Sequence, residues 1–241
     1  GCMNEDWRLS WNAPKGNWTI LRIGHTTTGE ENAAHPDAGK GLELDKFRKE
    51  ALDFHFEAFL DKLLDKVKPN IGKGLKGITV DSWEAGKQNW TINFPEEFKQ
   101  RKNYELIKWM PAMTGRVVGS VEDTERFLWD IRKTHADLLA ENFYGHLANR
   151  CHERGLDFYA EPYGDGNFDS LQVGQYLDIM MCEFWTRYIY GSDIYSKQAV
   201  SSAHLYGKKI VAAEAFTAMP ATSKWTDYPY SLKAEGDYFY T

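Results

Sequence analysis

The chain has 241 residues, 42% of them hydrophobic and 27% charged, with a net charge of −6 and no basic cluster, which is the balance of a globular protein and argues against nucleic acid as a main partner. No apolar run approaches the roughly 20 residues of a membrane helix, and the start, GCMNEDWRLSW, has neither the basic nor the apolar region of a signal peptide. Aromatics are high at 15%, with nine tryptophans, which fits either a large aromatic core or a carbohydrate site where sugar C–H faces stack on flat rings.

In chain order, WTILRIG (18–24) reads as a strand, followed by a Thr/Gly/Asn loop to about Gly41. LELDKFRKEALDFHFEAFLDKLLDKV (42–67) reads as a helix with Leu52, Phe56, Phe59, Leu63 and Val67 on one face, ended by Pro69 and Gly72. LKGITVD (75–81) is the next strand. The stretch from 85 to about 120, with Pro95, Pro111 and Gly115, reads as a long irregular loop, and loops of that length are often functional. Residues 121–154 form a second long helical segment with Gly155 as its C′ residue. LDFYAE (156–161) and YLDIMMCEF (176–184) read as strands, the second fully buried. A helix over 193–206 leads past Gly207 to the strand KIVAAEAF (209–216), and GDYFYT (236–241) looks like the start of a further strand.

Alternating strands and helices indicate a parallel α/β architecture. No GxGxxG or Walker loop follows any strand, which disfavours a nucleotide-binding doubly wound sheet. A (β/α)8 TIM barrel fits better, but eight units need more chain than this. Residues 1–241 therefore read as one partial barrel domain of about five or six units, within a longer protein. Such a piece would leave two open sheet edges, so it is expected to be marginally stable, aggregation-prone and catalytically weak by itself. Cys2, Cys151 and Cys182 are widely spaced and odd in number, fitting free, partly buried thiols rather than a disulfide framework or metal knot. The sequons at Asn17 and Asn89 are formal matches of little weight.

The ends of the predicted strands carry the chemistry. VDSWE supplies Asp81 and Glu84, FYAEPYG supplies Glu161, MMCEFW supplies Glu183 and AAEAF supplies Glu214, with Trp83, Tyr163, Phe184 and Trp185 close by in sequence. Barrel active sites lie at the C-terminal ends of the strands. A single glutamate there is ordinarily a solvated or ion-paired loop residue. Like charges crowded together destabilise one another, so a set persists where it binds a cation, shares protons or does chemistry. Paired carboxylates beside aromatics suit glycoside hydrolysis, one acid protonating the leaving oxygen and the other carboxylate attacking the sugar or activating water. Trp83 either raises the pKa of Glu84 by excluding water or is a plain core tryptophan. There is no GxSxG elbow and no HExxH; among seven scattered histidines only His25, directly after a predicted strand, is kept as a possible site residue.

RIGHTTTGEEN with GLELDKFRKEALDFHF, VDSWEAGKQNWT, RFLWDIRKTHADLLAENFYG, GLDFYAEPYG, MMCEFW and AAEAFT occur in that order over roughly 200 residues. In these stretches the chain resembles the α-L-rhamnosidases of glycoside hydrolase family 106. The resemblance implies a (β/α)8 catalytic domain within a larger multidomain enzyme, inverting chemistry on terminal α-L-rhamnosyl residues of polysaccharides or glycosides, and a calcium ion near the bound sugar, with its ligands unassigned. It implies Glu84 as general acid and Glu183 as general base. Glu161 and Glu214 are implied as supporting carboxylates, and Asp81, Trp83, Tyr163, Trp185 and His25 complete the substrate-binding set. The expected partner is carbohydrate, with no nucleic acid and no membrane, and the full-length protein is expected to be periplasmic or extracellular. If barrel order follows the chain, the strands of Glu84 and Glu183 are second neighbours, about 9 Å apart at the backbone, compatible with the roughly 6.5–9.5 Å carboxyl gap of inverting enzymes. Two other readings stand beside this one. One is a retaining barrel glycosidase, with Glu161 or Glu84 as acid/base and Glu214 as nucleophile. The other is a non-catalytic sugar-binding fragment.

Overall fold

A computed structural model describes residues 4–6, 8–32, 35–187 and 192–240; Cys2 lies outside them. The first helical rod comprises α1 (Lys49–His55), a π-helical segment (Phe56–Leu60) and α2 (Asp61–Val67). It begins later than the sequence suggests. The Asp45 carboxylate accepts the Phe47 amide at 3.1 Å and the Arg48 amide bonds the Asp45 carbonyl at 3.2 Å, a local turn that competes with helix. The π-helical turn then shifts the phase of the rod. Leu52, Phe56 and Leu64 are buried, whereas Phe59 and Leu63 are exposed, so the expected apolar face holds only in its first half.

Strand β1 (Gly77–Val80) follows, then α3 (Phe94–Lys102) and a 3-10 stretch (Ile107–Thr114) inside the segment expected to be irregular. Asn103, at φ 63°, closes α3 in the left-handed conformation. The second rod comprises α4 (Val121–Leu138), a π-helical segment (Leu139–Gly145) and α5 (His146–His152). Ser120 caps it, its hydroxyl accepting the Asp123 amide at 3.0 Å, and Gly155 follows its end at φ +70°, as the sequence suggests.

Strand β2 (Asp157–Ala160), α6 (Ser170–Gly174), β3 (Ile179–Trp185), α7 (Ser192–Leu205), β4 (Val211–Thr217), α8 (Pro220–Ser223) and α9 (Pro229–Tyr240) complete the order. Two expectations fail here. Residues 18–24 form no strand, and Trp18, Ile20 and Ile23 stay exposed without a sheet partner. The residues of GDYFYT through Tyr240 belong to helix α9, because Gly236 and Phe239, three apart, pack on Phe216 and Phe184; Phe239 stacks on Phe184 at 4.4 Å.

The four strands form one parallel sheet in the order β1-β2-β3-β4, one strand fewer than the sequence suggests. Alternation along the strands sorts the side chains. Ile78, Val80, Phe158, Ala160, Met180, Cys182 and Ala213 join the core formed with Leu52, Phe56, Leu147 and Ala199. The residues between them point to the opposite face. A second core gathers Phe47, Phe94, Phe98, Phe127 and Ile131 around Trp83, and it is this core that holds the loop after β1.

Candidate active site

Register decides what the sheet presents on its open face. Val80 pairs with Ala160, so the next residues, Asp81 and Glu161, come side by side; Glu183 pairs directly with Glu214. All four carboxylates lie on the parity opposite the core residues. Ligand oxygens of Asp81, Glu161 and Glu214 lie within 4.8 Å of one another, with Asp81 exposed, Glu161 buried and Glu214 between.

Three of the acids accept a bond from a neighbouring side chain, and Asp81 accepts the Ser82 amide at 2.8 Å. The Tyr163 hydroxyl donates to Glu161 at 2.6 Å, and Tyr163 stacks on Tyr195 with centroids 4.1 Å apart. The Trp185 indole N–H donates to Glu183 at 3.0 Å. The Thr217 hydroxyl donates to Glu214 across a bulge where Phe216 adopts φ 62°. Bulges of this kind re-aim side chains beside active sites. Burial pushes the Glu161 carboxyl up to about 8; the Tyr163 hydrogen bond opposes this, while Asp81 and then Glu214 add to it. Burial also raises Glu183, the Trp185 hydrogen bond opposes, and the charges of Glu214, Asp81 and Glu84 push the same way as burial. Glu161 and Tyr163 share a dry environment, and burial together with the Glu161 charge raises the phenol too.

Glu84 stands on the exposed loop after β1, with the Ser82 hydroxyl 3.4 Å from its carboxylate. Trp83 beside it is 6% exposed and turned into the second core. Its amide bonds the Tyr163 carbonyl at 2.8 Å, its indole N–H bonds the Gly86 carbonyl at 2.6 Å, and the Lys46 ammonium sits 5.1 Å from the ring centroid. Trp83 thus clamps the loops after β1 and β2 together and fixes where Glu84 emerges. His25 is not among the strand-end acids; it is exposed, 6.1 Å from Trp90, and lines a neighbouring hollow.

Several residues of the site have no signal in the local sequence. Tyr195 reaches Tyr163 from α7. Lys46 is buried and ion-paired with Glu43. Asp45 accepts from Gln88 at 2.5 Å and from Thr91 at 2.6 Å, across more than forty residues, so only folding brings them together. Thr217 is the exception: it stands three residues after Glu214 in AEAFT and was legible as part of that motif.

A parallel α/β sheet that gathers four carboxylates on one face, Asp81 and Glu161 just beyond β1 and β2 and Glu183 and Glu214 within β3 and β4, has the carboxylate arrangement of a glycosidase. The family described as alpha-L-rhamnosidase, glycoside hydrolase family 106, matches residues 1–241, and the chain belongs to that family. It is 44% identical over 236 residues to a Formosa agariphila protein provisionally named a beta-glucuronidase, covering 98% of this chain and 20% of that protein. It is also similar in structure to a rhamnosidase from Novosphingobium sp. PP1Y, with TM-score 0.79 and 32% identity, covering 96% of this chain and 23% of the other. The chain thus spans about a fifth of the length of the curated relative it matches.

Proposed function

We propose that these residues supply the acid-bearing part of a (β/α)8 catalytic domain that removes terminal α-L-rhamnosyl residues from polysaccharides or glycosides with inversion, in a protein acting in the periplasm or outside the cell. The observation that carries this is the convergence of Asp81, Glu161, Glu183 and Glu214 on one face of the sheet, with Glu84 at its rim, in a chain of the rhamnosidase family.

Glu84, on the solvent side, gives its proton to the glycosidic oxygen as the bond from that oxygen to the anomeric carbon breaks. Glu183 takes a proton from the water that attacks the anomeric carbon from the opposite side. The products are the freed alcohol and a rhamnose of inverted configuration; Glu84 is left as carboxylate and Glu183 protonated, and exchange with solvent restores both. Exposure of Glu84 suits a group that must reach leaving groups of varied shape. The raised affinity of Glu183 for protons suits a base. Tyr163 and Trp185 hold Glu161 and Glu183 in place while the sugar is bound.

The crowded oxygens of Asp81, Glu161 and Glu214 fit a calcium ion, which takes hard carboxylate and hydroxyl oxygens in flexible geometry. Those three residues would hold it, and it would offset their mutual repulsion and bind hydroxyls of the sugar. Added calcium is expected to raise the melting temperature of the chain, and Asp81→Asn with Glu214→Gln to remove that response.

Proton NMR of the first sugar released from an aryl α-L-rhamnoside tests the mechanism. The inverted anomer is expected. The retained anomer would favour a double-displacement enzyme with Glu214 as nucleophile, and hydrolysis of an aryl β-glucuronide in place of the rhamnoside would move the substrate towards the name carried by the Formosa relative.

A further inference from the structure

We propose that Tyr195, on α7, is the positioning residue for Glu161: its ring fixes Tyr163, and through the Tyr163 hydroxyl it fixes where the Glu161 carboxyl stands among the acids. This rests on Glu161 as a carboxylate of the sugar site.

The backbone of Glu161 leaves little open. Its amide bonds the Val80 carbonyl at 3.0 Å, which ties it to β1. Pro162 follows it, and a proline confines the residue before it to extended conformations. What remains to be set is the side chain. Glu161 is only 1% exposed, so bulk water does not set its direction. Oxygens of Asp81 and Glu214 lie within 4.8 Å of its own, and like charges at that distance repel, which would turn the carboxyl away. Its hold is the Tyr163 hydroxyl, which donates to it at 2.6 Å.

That bond aims the carboxyl only if Tyr163 is itself held. Its main chain is held: the Trp83 amide bonds its carbonyl at 2.8 Å, and its own amide bonds the Glu161 carbonyl at 2.9 Å. Its ring turns about two side-chain torsions that those bonds do not restrain. Tyr195 lies flat on that ring, with centroids 4.1 Å apart and planes 13° apart. Stacked this closely, the Tyr163 ring has no room to tilt towards α7.

Helix α7 gives Tyr195 a fixed base. Tyr195, Ala199 and Ser202 recur at spacings of four and three, so they share one face, and Ala199 and Ser202 are buried. Ser196, beside Tyr195, reaches the Cys182 sulfur of β3 at 3.7 Å. The path from Tyr195 through Tyr163 to Glu161 therefore joins α7, the loop after β2 and the acids. Its contact with Tyr163 is made by the ring, so the ring rather than the hydroxyl carries the role.

Kinetics of the full-length enzyme on an aryl α-L-rhamnoside provide the test, run well below the melting temperature of every variant. Tyr195→Ala is expected to lower kcat/KM roughly 10–100-fold, as loss of a group standing behind a site ligand does. Tyr195→Phe, which keeps the ring, is expected to retain most of the activity. Tyr163→Phe removes the hydroxyl through which Tyr195 acts, so in that background Tyr195→Ala is expected to cost no more than about twofold further. A merely structural Tyr195 would give independent losses that multiply. Multiplying losses would overturn the inference, and so would a Tyr195→Phe as damaged as Tyr195→Ala, which would make the hydroxyl a contact in its own right. Hydrolysis of an aryl β-glucuronide in place of the rhamnoside would overturn the substrate reading alone, and the same cycle on that substrate would still decide the part of Tyr195. Crystal structures of the 241-residue chain give a readout independent of activity. In Tyr195→Ala the Glu161 carboxyl is expected to leave the Tyr163 hydroxyl, and an undisturbed bond of 2.6 Å would overturn the inference.

Discussion

Asp81 and Glu161 follow neighbouring parallel strands in register, and Glu183 and Glu214 are direct partners on the next pair, so backbone pairing brings the four acids to one face as two pairs, the second offset by two residues along the strands because Ala160 pairs with Met180. Their environments then diverge: Glu161 is 1% exposed and pushed up to about 8, while Glu84 at the rim faces solvent. That divergence supports separate roles. In the active enzyme, Glu84→Gln is expected to lower kcat/KM on natural rhamnosides by roughly 10²–10⁴-fold and less on activated aryl rhamnosides, whose leaving groups need little protonation. Glu183→Gln is expected to be equally damaging on both, since water must be activated whatever leaves. Steady-state kinetics on paired substrates checks both, and equal losses from Glu84→Gln would remove it as the acid. Glycine matters at one point of this site. Gly164 has φ +106° and a Cβ there would lie 2.4 Å from the Trp83 carbonyl oxygen. Gly164→Ala is expected to cost at least about 1–3 kcal/mol in a denaturant melt and to disturb the loop bearing Glu84. Gly207→Ala, at φ +65° in open space, is expected to cost less.

Among the elements, α4 illustrates a motif whose role is structural. In RFLWDIRKTHADLLAEN, the Thr134 hydroxyl bonds the Asp130 carbonyl at 2.7 Å, His135 bonds the Asn89 carbonyl at 3.0 Å, and Glu141 receives a bidentate pair from Arg101 at 3.0 and 2.7 Å. The first of these is internal to α4; the contacts of His135 and Glu141 bind the helical rod to the segment after β1, so the stretch positions the Glu84 loop without touching the acids. His135 lies between Phe47 and Phe94, at centroid distances of 5.5 and 5.0 Å, and burial lowers its pKa to about 4 against a weaker opposing bond from Asn89. The folded chain thus keeps it neutral where the unfolded chain, with a pKa near 6.5, takes a proton. Stability from this group is present above about pH 6.5 and is lost as pH falls towards 4, by up to about 3 kcal/mol. Urea melts between pH 7 and 4 should show that decline, and His135→Phe should flatten it. An unchanged slope in the variant would place the pH dependence elsewhere.

At the scale of the molecule, the sheet has β1 and β4 at its margins, and β4 is only partly covered, its residues intermediate or exposed along the whole strand. Parallel strands are ordinarily buried on both faces. Trp225, Tyr230 and Tyr240 are also strongly exposed, at 102%, 81% and 78%. Expressed as these 241 residues, the chain is expected to self-associate with rising concentration through its sheet margins. Analytical ultracentrifugation checks this, and a monomer at all concentrations, melting cooperatively, would show that the margins are not adhesive.

Asp81 and Glu161 were legible in the sequence because strand ends announce themselves, the runs GITV and DFYA stopping where a carboxylate follows; Glu183 and Glu214 were legible as acids set in otherwise apolar runs, and they lie within β3 and β4 rather than at their ends. The two long helical rods, the turn glycine after the second, and the order of the four paired strands were legible for the same reason, since a repeating apolar pattern records which face a local element buries. The sequence by itself also carried the family, through ordered motifs spread along the whole chain. Tertiary structure decided the rest. Residues 18–24 have the composition of a strand but no partner, and a strand is stable only when paired. GDYFYT reads as the start of a strand, but packing of Gly236 and Phe239 on Phe216 and Phe184 makes residues 236–240 helix. The π-helical turns moved the buried face of the first rod from Phe59 and Leu63 to Leu60 and Leu64. The Asp45–Gln88–Thr91 ties, the contact of Lys46 with the Trp83 ring and the Tyr195 stack join groups distant along the chain, and such contacts leave no local periodicity; they exist only once the sheet has fixed which residues become neighbours.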